Sequence, residues 1–525
     1  MIRKFTAIAT IVLWASHAQA LTDDQLLDAL QQKAFDYFWN EANPANGLIK
    51  DRNQSGSPGS IASMGFGLSA ICIGIDHGWV TRPAGQARVL TTLQTLWNGP
   101  QAGTVAGNIG FKGLYYHFLD MTTATRTWDC ELSTIDTALL FAGVIDCKQY
   151  FSTADPIDVQ VRTLADQIYQ RADWEFMRNF GAGLYMGWKP GGNGFLNFGR
   201  WVGYNEAMIL YILALGSPTH PIPANNWTTW TSGYSWQTWY GYSYVNFPPL
   251  FGHQYSHCWV DFRYIKDPYM TAHGITYWEN SRRATLAQRA YCIANPAGRV
   301  GYGADTWGIT ASDTPTGYRA RGAPPAQNDD GTITPSAIGG SIAFAPSVCI
   351  SALQNLYNTY GATTWSTYGF KDAFNPTSNW VDPDYIGIDQ GPIIIMIENF
   401  RTQSVWNRFM QNADIQVGLT RAGFVAATTV GVEPTTDLGP AVLQQSYPNP
   451  LQAAGWIPFR LARQGRVVLS VYDAAGRRMQ TVLDGTRGPG PHVVPFDTSR
   501  LQSGVYFYEM KVDGKSSKRQ FTVVK

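Results

Sequence analysis

Charge is scarce in this 525-residue chain: Asp, Glu, Lys and Arg make up 15% of it and balance to a formal net charge of +1. That argues against a nucleic-acid partner held on a basic surface. With 45% apolar and 14% aromatic residues, the composition also argues against disorder. Long apolar runs are missing as well. Beyond the first twenty residues nothing approaches the roughly 18–20 consecutive apolar positions of a spanning helix, so the processed protein is expected to be soluble. The six cysteines (Cys72, Cys130, Cys147, Cys258, Cys292, Cys349) contain no C-x-x-C pair, which argues against a zinc site and leaves bridges and buried thiols both open. No G-x-S-x-G, P-loop or well-placed dinucleotide fingerprint occurs.

What is present starts with an export signal. Arg3 and Lys4 form the charged start, Phe5 to Ala15 the apolar stretch, and Ala18-Gln19-Ala20 the cleavage site, so the mature chain is expected to begin at Leu21. The length exceeds what one core usually supports, and the sequence divides in two. Residues 441–525 hold twelve Lys and Arg against five Asp and Glu, a balance of +7, whereas residues 21–440 carry −8 and seventeen of the tryptophans. Between them, Ala-Ala-Thr-Thr-Val-Gly-Val-Glu-Pro-Thr-Thr loses all periodicity and reads as a linker. The expected organisation is a signal peptide at 1–20, a large domain at 21–425, a linker at 426–445 and a small domain at 446–525.

Before the seam, apolar residues recur at helical spacing at 23–40, 61–76, 83–97, 131–150, 157–178, 204–215, 282–294, 343–359 and 389–411. Long Gly-, Trp- and Tyr-rich loops separate them, as at 183–203 and 296–341. About a dozen helices with such loops is what a mainly α (α/α)6 toroid would produce. After the seam the period becomes two, at 457–462, 466–473, 493–497, 504–512 and 519–524, which predicts a small all-β sandwich.

Aromatic platforms beside carboxylates suit an extended sugar chain, since rings cover sugar faces and carboxyls exchange protons with a glycosidic oxygen and a water. The loop from Gly183 to Glu206 combines both and runs into an apolar helix. Trp188, Trp201, Tyr204, His253, Gln254, His257, Arg263, Trp278 and Trp307 are candidate substrate contacts. Glu206 lies at one predicted helix start, Asp129, Glu131 and Asp136 at the entry to a second, and Asp389 before Gly391-Pro392 at a third, with the proline suited to a first turn. In a toroid of helical hairpins the inner helices run parallel, so such N-termini would share one mouth. Each carboxylate also has a purely structural reading: Asp136 in a Ser133-Thr-Ile-Asp136 capping box, Glu206 against the helix dipole, Asp389 as an N-cap. His253, His257 and Asp261, at i, i+4 and i+8, have a spacing compatible with metal ligands on one helix face. Interleaved with Tyr255, Trp259 and Arg263, they read rather as hydrogen-bonding groups of a polar cleft or core, and no metal or other cofactor is expected.

Segment 24–420 resembles the bacterial glycoamylase-like family that contains the endo-β-1,2-glucanases. The resemblance rests on Phe35-Asp-Tyr-Phe-Trp39, Ser60-Ile-Ala-Ser-Met-Gly65, Glu131-Leu-Ser-Thr-Ile-Asp-Thr-Ala-Leu-Leu140, Tyr204-Asn-Glu-Ala-Met208, His253-Gln-Tyr-Ser-His257, Trp307-Gly-Ile-Thr-Ala-Ser-Asp313 and Ile388-Asp-Gln-Gly-Pro392. It implies an (α/α)6 fold and metal-free, inverting hydrolysis of β-1,2-glucan to sophoro-oligosaccharides. By motif, it implies Glu206 as the general acid, Asp389 as the base, and Glu131 and Asp136 as acidic positions in the cleft. The last region is similar to the Ig-like sorting domain of type IX secretion, through Ser446-Tyr-Pro-Asn-Pro450, Val471-Tyr-Asp-Ala-Ala-Gly-Arg477, Gly504-Val-Tyr-Phe-Tyr508 and a basic end at Lys518 and Arg519. That implies the outer-membrane secretion machinery as a partner and a secreted or surface location. Two other readings stay open: a polysaccharide lyase or uronic-acid hydrolase on the same toroid, and a non-catalytic glycan-binding surface protein.

Overall fold

A computed structural model describes residues 21–427 apart from 193 and 196, and residues 441–525 apart from 444, 445, 447–450, 452, 453, 462, 463, 475, 489, 500, 513 and 514. The predicted export signal and most of the predicted linker lie outside the described residues. The chain divides into two compact units, one of residues 21–262 with Asn280–Phe424, the other of Arg263–Glu279 with the described part of Val425–Lys525. Among the described residues no helix is long and apolar enough to cross a membrane.

The first unit is rich in helices of two kinds. Ile61–Asp76, Thr134–Tyr150, Met208–Gly216 and Gly387–Arg401 are buried on nearly every side, as their near-continuous apolar sequences require. Asp23–Asn40, Arg82–Asn98, Pro156–Gln170 and Pro346–Thr364 bury one face only. Two of the buried helices approach until their backbones touch. A Cβ on Gly65 would lie 2.1 Å from the carbonyl oxygen of Leu139, and one on Gly143 2.0 Å from that of Gly65, so only glycine fits at this crossing.

The helix starts differ from the sequence expectation in two places. Met208–Gly216 begins two residues after Glu206. Gly387–Arg401 begins before Asp389, which makes Asp389 its third residue, Ile386 the N-cap and Pro392 an interior residue rather than a first-turn one. The early start has a local cause: the Gly387 N–H donates to the Asp51 carbonyl oxygen (2.8 Å), and the Asp389 and Gln390 N–H groups already reach back to Ile386. All six cysteines are free and buried. The nearest pair, Cys72 and Cys147, keep their sulfurs 3.6 Å apart, well beyond the roughly 2.05 Å of a disulfide.

In the second unit, sheets of three strands (Ala441–Leu443, Ala454–Leu461, Gly490–Asp497) and four (Arg478–Arg487, Gly465–Asp473, Gly504–Val512, Lys515–Val523) enclose one core. Val467, Leu469 and Val471 lie beside Val512, Met510 and Tyr508 of the neighbouring strand and point with them into it, at the period of two that the sequence displays. The strand Arg478–Arg487 escapes that pattern because only Leu483 on it is buried; its backbone ladder with Gly465–Asp473 holds it in place.

Candidate active site

Glu206 precedes the uncapped start of the Met208–Gly216 helix, where the side chain of Asn205 accepts the Ala207 N–H (2.9 Å). Its backbone is anchored from the other side, the Ser256 hydroxyl donating to the Glu206 carbonyl oxygen (3.0 Å). Burial raises the Glu206 carboxyl, its own backbone N–H opposes this, and the charge of Asp136 adds to the rise, leaving a pKa of about 7. It is a carboxyl that keeps its proton in mildly acidic solution.

Asp136 and Glu131 are instead ion-paired around one histidine. Ser133 caps its helix as the motif predicts, accepting the Asp136 N–H (3.3 Å), and its hydroxyl donates to Asp136 Oδ2 (2.5 Å). His117 bridges the two acids, with Nδ1 2.9 Å from Glu131 Oε1 and Nε2 3.5 Å from Asp136 Oδ2. Burial disfavours a charged His117, but Asp136, Glu131 and Asp51 outweigh it and lift its pKa to about 9. Glu131 is itself half-buried, yet the hydrogen bond and charge of His117 hold it below its ordinary value. The imidazolium therefore holds Glu131 ionised while Glu206 stays neutral, the division of labour that acid–base catalysis requires.

The aromatic loop joins this cluster through its strand Gly187–Trp188, which pairs with Leu132–Ser133. Trp188 stacks on Phe111 (5.0 Å) and remains half-exposed. Asp129, by contrast, is 77% exposed and held by Arg126 (2.7 Å) and Lys189 (3.0 Å), outside the cluster.

Asp389 is not a cap. Its Oδ1 accepts from the Ser336 hydroxyl (2.7 Å), a residue of the short helix Pro335–Gly339. Burial raises its pKa; hydrogen bonds from Ser336 and Asp372 oppose the rise, while the charges of Asp313 and Asp51 add to it. Around it lies an acidic set that sequence reasoning did not single out. Arg52 pairs with Asp313 (2.8 Å), Asp384 (3.2 Å) and Asp51 (3.3 Å), and Gln54 donates to Asp384 (2.6 Å). The phenols of the buried Tyr255 and of Tyr318, whose ring is partly exposed, are pushed far above the ordinary tyrosine value, first by desolvation and then by Asp389. The charge of Glu206 adds to the rise on Tyr255, after those of Asp389 and Tyr318. The available signals were faint: Asp313 ends the Trp307–Asp313 motif, and Asp382-Pro-Asp384 stands just ahead of Ile388–Pro392.

Several expected substrate contacts prove to be internal. His253, Gln254 and His257 are 0%, 1% and 1% exposed. His253 bonds the Phe247 carbonyl oxygen (3.1 Å), and burial takes its pKa down to about 3. Gln254 donates to Ala337 O and Ser341 Oγ (both 2.8 Å), tying down the segment that carries Ser336. His257 bonds the Ser281 hydroxyl (3.1 Å). These residues, with Asp261, occupy short 3₁₀ turns at Leu250–His253 and Ser256–Cys258 and the loop after them, not one helix face, which removes the metal-ligand spacing. Trp201 and Tyr204 are buried behind the loop, Trp201 donating to Thr134 Oγ1 (3.0 Å), and Trp307 is 0% exposed. Arg263 and Trp278 belong to the Arg263–Glu279 segment of the second unit.

Among the described residues, two groups present three ligand-type atoms within 4.8 Å of one another: His117, Glu131 and Asp136, and Asp313, Asp382 and Asp384. Each has a cation of its own, His117 in the first and Arg52 beside the second. Both are built as ion pairs.

Residues 199–413 match the Glycoamylase family model, and residues 445–525 match the secretion system C-terminal sorting domain. A crystal structure from Bacteroides uniformis that carries the same glucoamylase description is 36% identical, with a TM-score of 0.72 over 77% of this chain and 98% of that one. An endo-β-1,2-glucanase from Chitinophaga pinensis, in complex with sophorotriose and glucose, is 31% identical with a TM-score of 0.71, over 77% of this chain and 99% of that one. A curated relative from Parabacteroides distasonis, an exo β-1,2-glucooligosaccharide sophorohydrolase acting at the non-reducing end, is 33% identical over 435 residues. The match covers 76% of this chain, which spans 58% of that relative's length. The chain belongs to the glycoamylase-like family. Its sorting domain directs it through type IX secretion to the cell surface or beyond.

Proposed function

We propose that this protein is a glycoside hydrolase that cleaves β-1,2-glucan with inversion, on an (α/α)6 toroid whose inner helices include the four that are buried on nearly every side. The observation that carries this reading is Glu206: a carboxyl largely out of water, engaged in no cap, that desolvation and the nearby charge of Asp136 raise to a pKa of about 7. Glu206 donates its proton to the glycosidic oxygen as the bond breaks. Asp389 takes a proton from the attacking water, directly or through a substrate hydroxyl, on the opposite face of the sugar. His117, by neutralising part of the charge on Glu131 and Asp136, limits how far Glu206 rises. Trp188 offers a platform for a sugar ring. The names of the relatives support the β-1,2 linkage, and the C-terminal domain makes the outer-membrane secretion machinery its partner during export.

Endo cleavage to sophoro-oligosaccharides is the first reading, as in the Chitinophaga relative; release of sophorose from the non-reducing end is favoured by the Parabacteroides one. The purified protein is expected to release reducing ends from linear β-1,2-glucan and to leave other glucans and pectin intact. A mixed ladder of early products identifies endo action and sophorose alone identifies exo action. Activity confined to another glucan moves the specificity, and silence on every polysaccharide favours a binding protein.

A further inference from the structure

The carboxyl of Asp389 has a second one against it. Asp372, next to the strand Phe374–Asn375, is 2% exposed, accepts the Asp313 N–H at Oδ2 (2.8 Å) and hydrogen-bonds to Asp389. Each partner thus has one oxygen served by an ordinary donor: the Ser336 hydroxyl on Asp389 Oδ1, the Asp313 amide on Asp372 Oδ2. The other oxygen of each, Asp389 Oδ2 and Asp372 Oδ1, is buried with no N–H or hydroxyl reaching it. Two ionised carboxylates are acceptors only and repel, so a pair in hydrogen-bonding contact out of water requires a proton between them.

We propose that Asp372 is a positioning residue for the base: its neutral carboxyl donates its proton to the buried oxygen of Asp389, keeping Asp389 ionised and aimed at the water. This rests on the reading of Asp389 as the base. The surroundings decide which partner holds the proton. Asp372 faces Asp389, Asp382 and Asp313, with Arg321 at longer range, and burial and these charges push it far above the ordinary carboxylate value. Asp389 has the Ser336 hydroxyl to stabilise its charge and faces Asp313, Asp51 and the phenols of Tyr255 and Tyr318. Arg52 neutralises Asp313, Asp384 and Asp51 and makes no ion pair with Asp372. The buried pair therefore carries one negative charge, placed on Asp389.

The test compares D372N, D372A and D389N in the full chain on β-1,2-glucan across pH. D372N keeps a neutral donor of the same shape, so its kcat is expected to stay within a few-fold of wild type. D372A strips the donor, and the acid limb of kcat is expected to move up by about one pH unit or more, so that the rate at pH 6 falls about tenfold and recovers as pH rises. Infrared difference spectra of wild type against D372N add a readout independent of turnover and of the alanine variant's folding: the band of one protonated carboxyl is expected to disappear in D372N while that of Glu206 remains. A folded D372N as inactive as D389N, a D372A profile identical to wild type, or an unchanged carboxyl band would each overturn the proposal. Full activity in D389N is a separate result, because it removes the base assignment itself.

Discussion

Glu206→Gln is expected to lower turnover on β-1,2-glucan by roughly 10²-fold or more, with substrate binding retained, because the amide keeps the shape of the carboxyl and cannot hand over a proton. In barrier terms that is about 3 kcal/mol. The same residue limits the alkaline side of the wild-type profile: an acid must be protonated to work, so kcat falls as pH rises through about 7. The stability contribution of this carboxyl also falls as pH rises. A carboxyl whose folded pKa lies above its unfolded value opposes folding once the pH exceeds the unfolded value, and the cost grows until the folded pKa is passed. At pH 8 the Gln variant is therefore expected to melt higher than wild type, and this gain separates loss of chemistry from loss of fold. A folded Glu206→Gln protein with near wild-type turnover would make Glu206 a bystander and return the search to Glu131 and Asp136.

Asp389→Asn is expected to cost as much, by removing the group that accepts the proton from water. Ser336 still has an oxygen to bond and the helix start is held by Asp51 and Ile386, so the fold is expected to survive. The sign of the pH effect is opposite to that of Glu206. A base must be ionised, and Asp389 lies above the ordinary carboxylate range through burial, so the wild-type rate falls as pH drops through that raised value. Single-turnover measurements at the pH optimum separate this loss of chemistry from slower product release. Unchanged turnover in the folded Asn variant would place the base elsewhere in the acidic set around Arg52.

The sequence made the helices legible where burial is one-sided or complete, since apolar spacing alone marks 23–40, 61–76 and 83–97 to within a residue or two. It located Glu206, Glu131, Asp136 and Asp389 because motifs and helix starts are local. Their partners were hidden because they are assembled from distant segments. His117 meets Asp136 only after the loop Gly110–Leu119 folds back on the next helix, and Arg52 reaches Asp313 and Asp384 across more than 260 positions. The misplaced residues share one cause. His253, Gln254, His257 and Trp307 are polar or aromatic in a motif, which reads as a binding surface, but here they are buried supports, and periodicity does not distinguish a group that faces sugar from one that braces the residue that does.

The central claim is that Glu206 and Asp389 work on opposite faces of the scissile bond, with water as the nucleophile. Proton NMR of the freshly cleaved reducing ends, recorded before mutarotation, tests it most directly. Inversion of a β-linkage predicts that the α-anomer accumulates first. Early accumulation of the β-anomer would mean two displacements through a covalent intermediate, and would contradict the assignment of Asp389 as a base.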